Sequence, residues 1–384
     1  MTAPAVARGS NPARDTVMLG VALLGQGFMG RAHARALHML GAIEDRPAAL
    51  PRLVSVCGRD REALERTRSR WGFDYAVTDW REQVGDERVA VFDNTAPNAL
   101  HLDPTLAAIR AGKHVLCEKP LGRSADEALR LWSEARGTRV VHMCGFNLRF
   151  LPAVALARRL VSEGRLGEPT HFRARFLASS ALRNDQRRTW RFDAAEAGSG
   201  AVADLGSHLV DLARFLVGEP SAVSATTRTF VTARTGAPVD VDDAFAATVE
   251  FTDGAIGTLE ASRAAGRRSN VCAFEVDGTH GSLSFDVERL NELELITRRK
   301  ETRRLDVTGM GDPFMELWWP APGHAIGWGD SFVHELRHFL TAAASGRPVR
   351  PLGADFEDGY RCALVCDAIL ESARTGARVE VSRP

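Results

Sequence analysis

From residue 17 to residue 148, short apolar runs alternate with longer, more polar stretches. Val17 to Leu24 is apolar throughout, as expected of a strand buried on both faces. A glycine turn follows, then the alanine-rich segment Arg31 to Leu37, which favours helix. Leu53 to Cys57 predicts a second strand, Arg59 to Trp71 a polar helix, and Val89 to Asn94 another strand. His101 to Ala111 reads as a helix closed by Gly112 in the left-handed conformation. Lys113 to Cys117 is a further strand. Ser124-Ala125-Asp126-Glu127 is a capping box that opens a helix to Glu134, and Val140 to Gly145 is the last strand. This alternation predicts an α/β fold with a parallel, doubly wound sheet.

The pattern changes after about residue 150. Pro152 to Ser162 predicts one helix. Period-two alternation then marks strands at His171 to Ala178, Ala222 to Val231, Ala244 to Phe251 and Ala255 to Ala261. Thr252-Asp253-Gly254 is a hairpin signal between the last two. Val271 to Val276 and Ser282 to Phe285 predict a second hairpin. The alternation fits an antiparallel sheet with one wetter face. Gly200 to Leu216 reads as a buried helix. Asp355 to Arg374 reads as a C-terminal helix that packs back on the first domain. Gly236-Ala237-Pro238 and Trp318 to Gly329 read as loops. The expected division is a tail at 1–16, a dinucleotide-binding Rossmann domain at 17–148, and a substrate and oligomerisation domain at 149–384.

Composition narrows the classes. The formal net charge is +0, so no global field favours nucleic acid or an anionic membrane. No apolar run is long enough to span a bilayer. The first sixteen residues contain no apolar core segment of a secretory signal, and a frayed tail is expected there. Six scattered cysteines read as reduced thiols of a cytoplasmic protein. Only Cys362 and Cys366 lie one helical turn apart, and no metal site is expected.

Two constellations carry chemistry. Gly25-x-Gly27-x-x-Gly30 falls between a predicted strand and a predicted helix. Its glycines permit a tight turn, close approach of a pyrophosphate and close helix packing, with free helix N–H groups facing the anion. Gly25, Gln26, Gly27, Phe28 and Met29 are therefore candidate cofactor contacts. At the end of the second strand, where an acid would hold a ribose 2′-hydroxyl, the chain has Cys57-Gly58-Arg59-Asp60. Gly58 followed by Arg59 suits a 2′-phosphate, which leans the NAD(P) reading toward NADP. Asp60 remains an alternative partner for the 2′-hydroxyl.

The second constellation is Glu118-Lys119-Pro120 with Asp204 and His208. A lysine at the carboxyl end of a strand reaches the ligand crevice of an α/β sheet. Asp204 and His208 lie four apart on a predicted buried helix, hence on one face. The pair is either a satisfied buried ion pair or a proton-transfer site. Asn147 and Arg149, after the last strand of the first domain, and Trp190 and Arg191 are candidate substrate contacts or structural residues. Trp318, Trp319 and Trp328 read as core or interface. His33, His38, His101, His142 and His324 have no evident catalytic partner in sequence.

Together these residues resemble the Gfo/Idh/MocA oxidoreductases across nearly the whole chain. The resemblance rests on the glycine motif, the Thr95-Ala96-Pro97-Asn98 to His101 loop, Glu118-Lys119-Pro120 and the Asp204-to-His208 helix. Trp190-Arg191-Phe192, Ala197 to Ala201, Val239 to Asp243 and the Trp319 to Gly329 loop are similar to the branch of levoglucosan and related sugar 3-dehydrogenases. The resemblance implies a Rossmann domain plus a C-terminal α/β domain with a large open, mostly antiparallel sheet. That sheet would serve as the interface of a homodimer or homotetramer. It implies Lys119, Asp204 and His208 as the catalytic trio, a cis Lys119–Pro120 bond, and cofactor contacts from Thr95, Pro97, Asn98, His101, Glu118 and Lys119. The chain departs from the family pattern at Ala96, where threonine is usual, and in lacking the acid after the second strand. The implied activity is NAD(P)-dependent hydride transfer to or from a secondary alcohol of a sugar, glycoside or cyclitol. An NAD-dependent glycosidase acting by oxidation and elimination, and a non-catalytic dinucleotide sensor, are the alternatives.

Overall fold

A computed structural model describes residues 16–44, 46–182, 188–266, 268–318 and 321–381. The expected tail up to position 15, and Trp319 and Pro320 of the expected loop, lie outside the described residues.

Six parallel strands form the first sheet: β1 (Val17–Leu24), β2 (Ala49–Cys57), β3 (Tyr75–Val77), β4 (Val91–Asn94), β5 (His114–Glu118) and β6 (His142–Gly145). Their spatial order is β3-β2-β1-β4-β5-β6. The direction of winding reverses between β1 and β4, and the carboxyl ends of the strands beside that point form the ligand crevice of such sheets. A helix follows each of the first five strands before the next one begins: α1 (Phe28–Ile43), α2 (Arg61–Trp71), α3 (Trp80–Gly85), α4 (Leu102–Arg110) and α5 (Ala125–Ala135). Side chains set two of the starts. Asp60 Oδ1 accepts the Ala63 N–H at 3.0 Å, so α2 begins at Arg61 and not at Arg59. Ser124 Oγ accepts the Glu127 N–H at 3.4 Å, while Glu127 Oε2 reaches back to the Arg123 N–H at 2.8 Å.

The second half opens with α6 (Pro152–Ser162) and β7 (Pro169–Leu177). Then come α7 (Ala194–Ala197), α8 (Ser207–Leu216), β8 (Pro220–Arg228), β9 (Ala233–Arg234), β10 (Ala237–Pro238), β11 (Ala244–Phe251) and β12 (Ile256–Ser262). The chain continues through β13 (Val271–Gly278), β14 (Gly281–Asp286), β15 (Glu292–Ile296), β16 (Thr302–Asp306), α9 (Asp330–Ser345), α10 (Phe356–Thr375) and β17 (Val379–Glu380). Nine of these strands make one sheet in the order β16-β15-β14-β13-β7-β12-β11-β8-β17. Only β7 and β12 pair in parallel; the remaining neighbours are antiparallel. The period-two pattern sorts the faces. Phe172, Phe176, Phe245, Val249 and Leu259 are buried, while Arg173, Arg175, Thr248, Glu260 and Glu275 are exposed.

One apolar core includes Phe92 and Val115 of the first sheet and Phe172 and Phe245 of the second. The C-terminal helix α10 contacts both halves, packing against α5 and β8.

Three expectations need correction. Ala237-Pro238 is not loop: it pairs with Ala233–Arg234 across a tight turn in which Thr235 and Gly236 both have positive φ (46° and 79°). Gly200 to Leu216 is not one uniform helix: Val202–Gly206 winds as a π-turn before α8 begins. The sequence reading placed no helix at α9. Phe332, Val333, Leu336, Phe339 and Leu340 form its buried face against α1 and β2.

Candidate active site

A cleft of ≈ 1350 Å³ lies at the carboxyl ends of the first sheet's strands and is closed from the other side by residues of the second half. The turn after β1 shapes one end. Gly25 has φ +109°, and a Cβ there would meet Thr95 Oγ1 at 2.6 Å. A Cβ on Gly30 would fall 2.1 Å from the Gly25 carbonyl oxygen. Nothing lies within 4 Å of where a Gly27 Cβ would be. Gly27 also stands at the start of α1, whose first turn has no side-chain cap and no acidic residue. Open space beside uncapped helix amides fits a bound pyrophosphate.

Every sequence-predicted cofactor residue lines this cleft: Gly25, Gln26, Gly27, Phe28, Met29, Gly58, Arg59, Thr95, Pro97, Asn98, His101, Glu118 and Lys119. Two of them turn their side chains elsewhere. The Glu118 carboxyl is 4% exposed and faces His33 and its own neighbour's backbone. The His101 imidazole is fully buried, with Nδ1 2.7 Å from the Pro120 carbonyl and Nε2 3.0 Å from the Ala96 carbonyl. His101 therefore braces two loops of the cleft against each other.

The Lys119–Pro120 peptide is cis. Lys119 Nζ donates to the Asp204 carbonyl oxygen at 2.7 Å and lies 3.4 Å from Asp204 Oδ1. An ammonium from the end of β5 thus meets the π-turn of the second half. Burial would raise the Asp204 pKa, but the Lys119, Arg191 and Arg263 charges outweigh it and hold the carboxyl below its ordinary range. His208 follows at the start of α8, its ring flanked by Phe146 at 6.2 Å and Phe176 at 5.8 Å. Its Nδ1 is buried without a hydrogen-bond partner. Burial first, then the Lys119 charge, push its pKa well below 6.5, with Asp204 opposing. The imidazole is neutral and can accept a proton.

Asn147, Trp190 and Arg191 also line the cleft. Asn147 Nδ2 donates to Ser331 Oγ at 2.8 Å, and the Arg191 guanidinium stacks over the Trp190 ring at 4.4 Å. Arg149 does not reach the cleft, a correction to the substrate-binding expectation. It is 3% exposed and bound to Asp211 at 2.6 Å and Asp358 at 3.5 Å, because its direction after β6 carries it into the joint of α8 and α10. Arg263 was missed; it donates to the Arg191 carbonyl at 3.2 Å and the Asp242 carbonyl at 2.9 Å. Trp328, read as core or interface, lines the cleft and stacks on Phe28 at 6.2 Å. His33 has two carboxylate partners that no sequence spacing signalled. Among the described residues no group of three or more potential ligands could hold a metal ion.

A parallel doubly wound sheet, a glycine turn at its switch point and a lysine–imidazole pair in the same cleft define a dinucleotide-dependent oxidoreductase. Comparison with known proteins gives the family. Residues 19–146 match the oxidoreductase family with NAD-binding Rossmann fold, and residues 154–284 match the GFO/IDH/MocA C-terminal domain. The chain belongs to the Gfo/Idh/MocA family, as its motifs led us to expect. It is 37% identical to levoglucosan dehydrogenase of Pseudarthrobacter phenanthrenivorans over 385 residues, spanning 94% of this chain and 98% of that enzyme. It is 31% identical over 258 residues to 1,5-anhydro-D-fructose reductase of Ensifer adhaerens, spanning 67% and 74% of the two chains. A solved structure of levoglucosan dehydrogenase in complex with NADH and levoglucosan superposes with a TM-score of 0.92 at 38% identity, over 95% of this chain and all of that one.

Proposed function

We propose that this protein oxidises, reversibly, one secondary hydroxyl of a pyranose-type sugar, glycoside or cyclitol with NAD(P). The observation that carries the reading is the Lys119–Asp204 contact beside a neutral His208, in the cleft that also holds the glycine turn. The similarity to levoglucosan dehydrogenase supports a sugar as substrate.

The Gly25–Gly30 turn and the first amides of α1 would hold the pyrophosphate, flanked by Gln26, Met29, Gly58, Thr95, Pro97 and Asn98. The nicotinamide, when bound, supplies the hydride acceptor. A ring nitrogen of His208 takes the hydroxyl proton. Lys119 donates a hydrogen bond to the same oxygen and stabilises its developing negative charge. Asp204 holds the ammonium in place and accepts from a second hydroxyl. Trp190 and Arg191 bind the sugar ring. Arg59 favours a 2′-phosphate, hence NADP; Asp60 is engaged in capping α2. The polar face of the nine-stranded sheet makes the contact between copies in a homodimer or homotetramer. A cytoplasmic location accords with six buried, unpaired cysteines. Nucleic acid and membrane are not partners in this reading.

The test is absorbance at the reduced-nicotinamide band with a panel of pyranoses, glycosides and inositols. Cofactor reduction is expected, with higher kcat/KM for NADP+ than for NAD+ and a selective loss of the NADP+ reaction in Arg59→Ala. Glycoside cleavage without net cofactor reduction would make the protein a glycosidase, and dinucleotide binding with neither reaction would make it a sensor.

A further inference from the structure

The geometry points to His33, Asp93 and Glu118 as a buried clamp that positions Lys119. The inference rests on the role proposed for that lysine. His33 lies one turn into α1, where the close approach permitted by Gly30 brings the helix against the ends of β4 and β5. Its Nδ1 is 3.0 Å from both Asp93 oxygens, and its Nε2 is 3.1 Å from Glu118 Oε1. Both imidazole and Asp93 are fully buried. The second Glu118 oxygen, Oε2, accepts the backbone N–H of Lys119 at 3.0 Å. One carboxylate is therefore fixed on one side by an imidazole from α1 and on the other holds the peptide that launches the lysine.

The surroundings leave Glu118 little freedom. A Cβ on Gly145 of β6 would sit 3.2 Å from the Glu118 Cδ, so the neighbouring strand closes that side. Phe332 of α9 covers the imidazole, ring centroids 5.5 Å apart. Glu335 of α9 is also fully buried near the cluster, with both oxygens unpartnered. Burial pushes the pKa of that carboxyl well above 4.5, with Glu118 and Asp93 acting in the same direction. His33 is then the cation of the cluster. Two carboxylate partners overcome burial and raise its pKa well above 6.5, and only a protonated ring can donate from both nitrogens at once. Glu118 borders the cleft, but its carboxyl is turned to His33 and to the Lys119 amide, so the group acts by positioning.

Kinetics of Lys119→Ala, Glu118→Ala, Glu118→Gln and the double variant Glu118→Ala/Lys119→Ala test this, together with dinucleotide affinity by calorimetry. Lys119→Ala is expected to lose about 10²-fold in kcat. Glu118→Ala is expected to lose about tenfold or more in kcat while dinucleotide Kd stays within about twofold. The glutamine variant keeps an acceptor for the Lys119 N–H, and its NH2 can donate to His33 Nε2 once that ring gives up the Nε2 proton and stays neutral, so it is expected to recover most of that loss. The double variant is expected to match Lys119→Ala alone, because residues acting through one another are not additive. Should Glu118→Ala not yield folded protein by circular dichroism, His33→Gln carries the same test with the same expected split between kcat and Kd. A crippled Lys119→Ala beside a fully active Glu118→Ala, multiplicative losses in the double variant, or a loss confined to Kd would each overturn the clamp. A fully active Lys119→Ala would instead remove the role of the lysine itself, and the clamp with it.

Discussion

Asp242→Ala should weaken the segment that carries Asp204 and His208 without touching the cleft wall. Asp242 precedes β11, and its carboxylate accepts the N–H of Gly200 at 2.6 Å and of Val202 at 2.9 Å. Its carbonyl takes the intervening Ala201 N–H at 2.9 Å. The start of the segment that carries Asp204 and His208 is thus pinned by one residue. Alanine deletes both carboxylate bonds and leaves two buried amides unmatched. Bonds to a charged acceptor contribute about 1.5–3 kcal/mol each. Burial offsets part of this, since it raises the Asp242 pKa despite the amides. A net loss of about 3 kcal/mol is therefore expected, or about 4 °C in Tm for a cooperative unit of 384 residues. A shift of about 1 Å at Asp204 would lower kcat by about 10²-fold. Asp242→Asn keeps one acceptor and should lose about half as much stability. Thermal unfolding by circular dichroism and steady-state kinetics on the sugar that the enzyme oxidises are the assays. An alanine variant that melts within about 1 °C of the parent with unchanged kcat would refute the reasoning.

Burial and the Lys119 charge hold His208 well below 6.5, so the neutral base persists as pH falls through that value. The kcat/KM for alcohol oxidation should be flat from about pH 8 to about pH 6, and an acid limb centred at or above about 6.5 contradicts this. Glu335 stays protonated in the fold but loses its proton above 4.5 when unfolded. Native stability should therefore fall by about 1.4 kcal/mol per pH unit above that point until the folded group titrates. Glu335→Gln is expected to raise Tm more at about pH 8 than at about pH 5; an equal shift at both rejects the assignment. Gly30→Ala places a methyl 2.1 Å from the Gly25 carbonyl oxygen and should weaken dinucleotide binding by about 10²-fold or more in calorimetry.

The first sheet was legible because its code is local. A doubly buried strand is an apolar run, and a glycine turn or a capping box is written within a few residues, as at Gly25–Gly30 and Ser124–Glu127. Val17–Leu24, Pro152–Ser162 and Ala244–Phe251 fall where the pattern placed them. What escaped depends on tertiary partners. Helix α9 carries a readable apolar face, but it follows an irregular stretch and ends at a glycine with φ +64°, signals that are plain only once its packing against α1 is known. Arg149 had the right position after β6 and the wrong direction: two carboxylates, 62 and 209 residues away, claim it. The π-turn at Val202–Gly206 leaves no mark in a four-residue spacing, since Asp204 and His208 would share a face either way. His33 lacked a visible partner because Asp93 and Glu118 sit 60 and 85 residues downstream on adjacent strands.

The most direct measurement follows a deuterium label from the reacting carbinol carbon of a sugar substrate in single turnovers. The parent should deliver deuterium to C4 of the nicotinamide with stoichiometric proton release. Lys119→Ala and His208→Ala, each with dinucleotide still bound, should slow that transfer by about 10²-fold or more. Full-speed transfer in either variant, or label retained on the sugar while the parent turns over, would contradict the convergence of ammonium and imidazole on one alcohol.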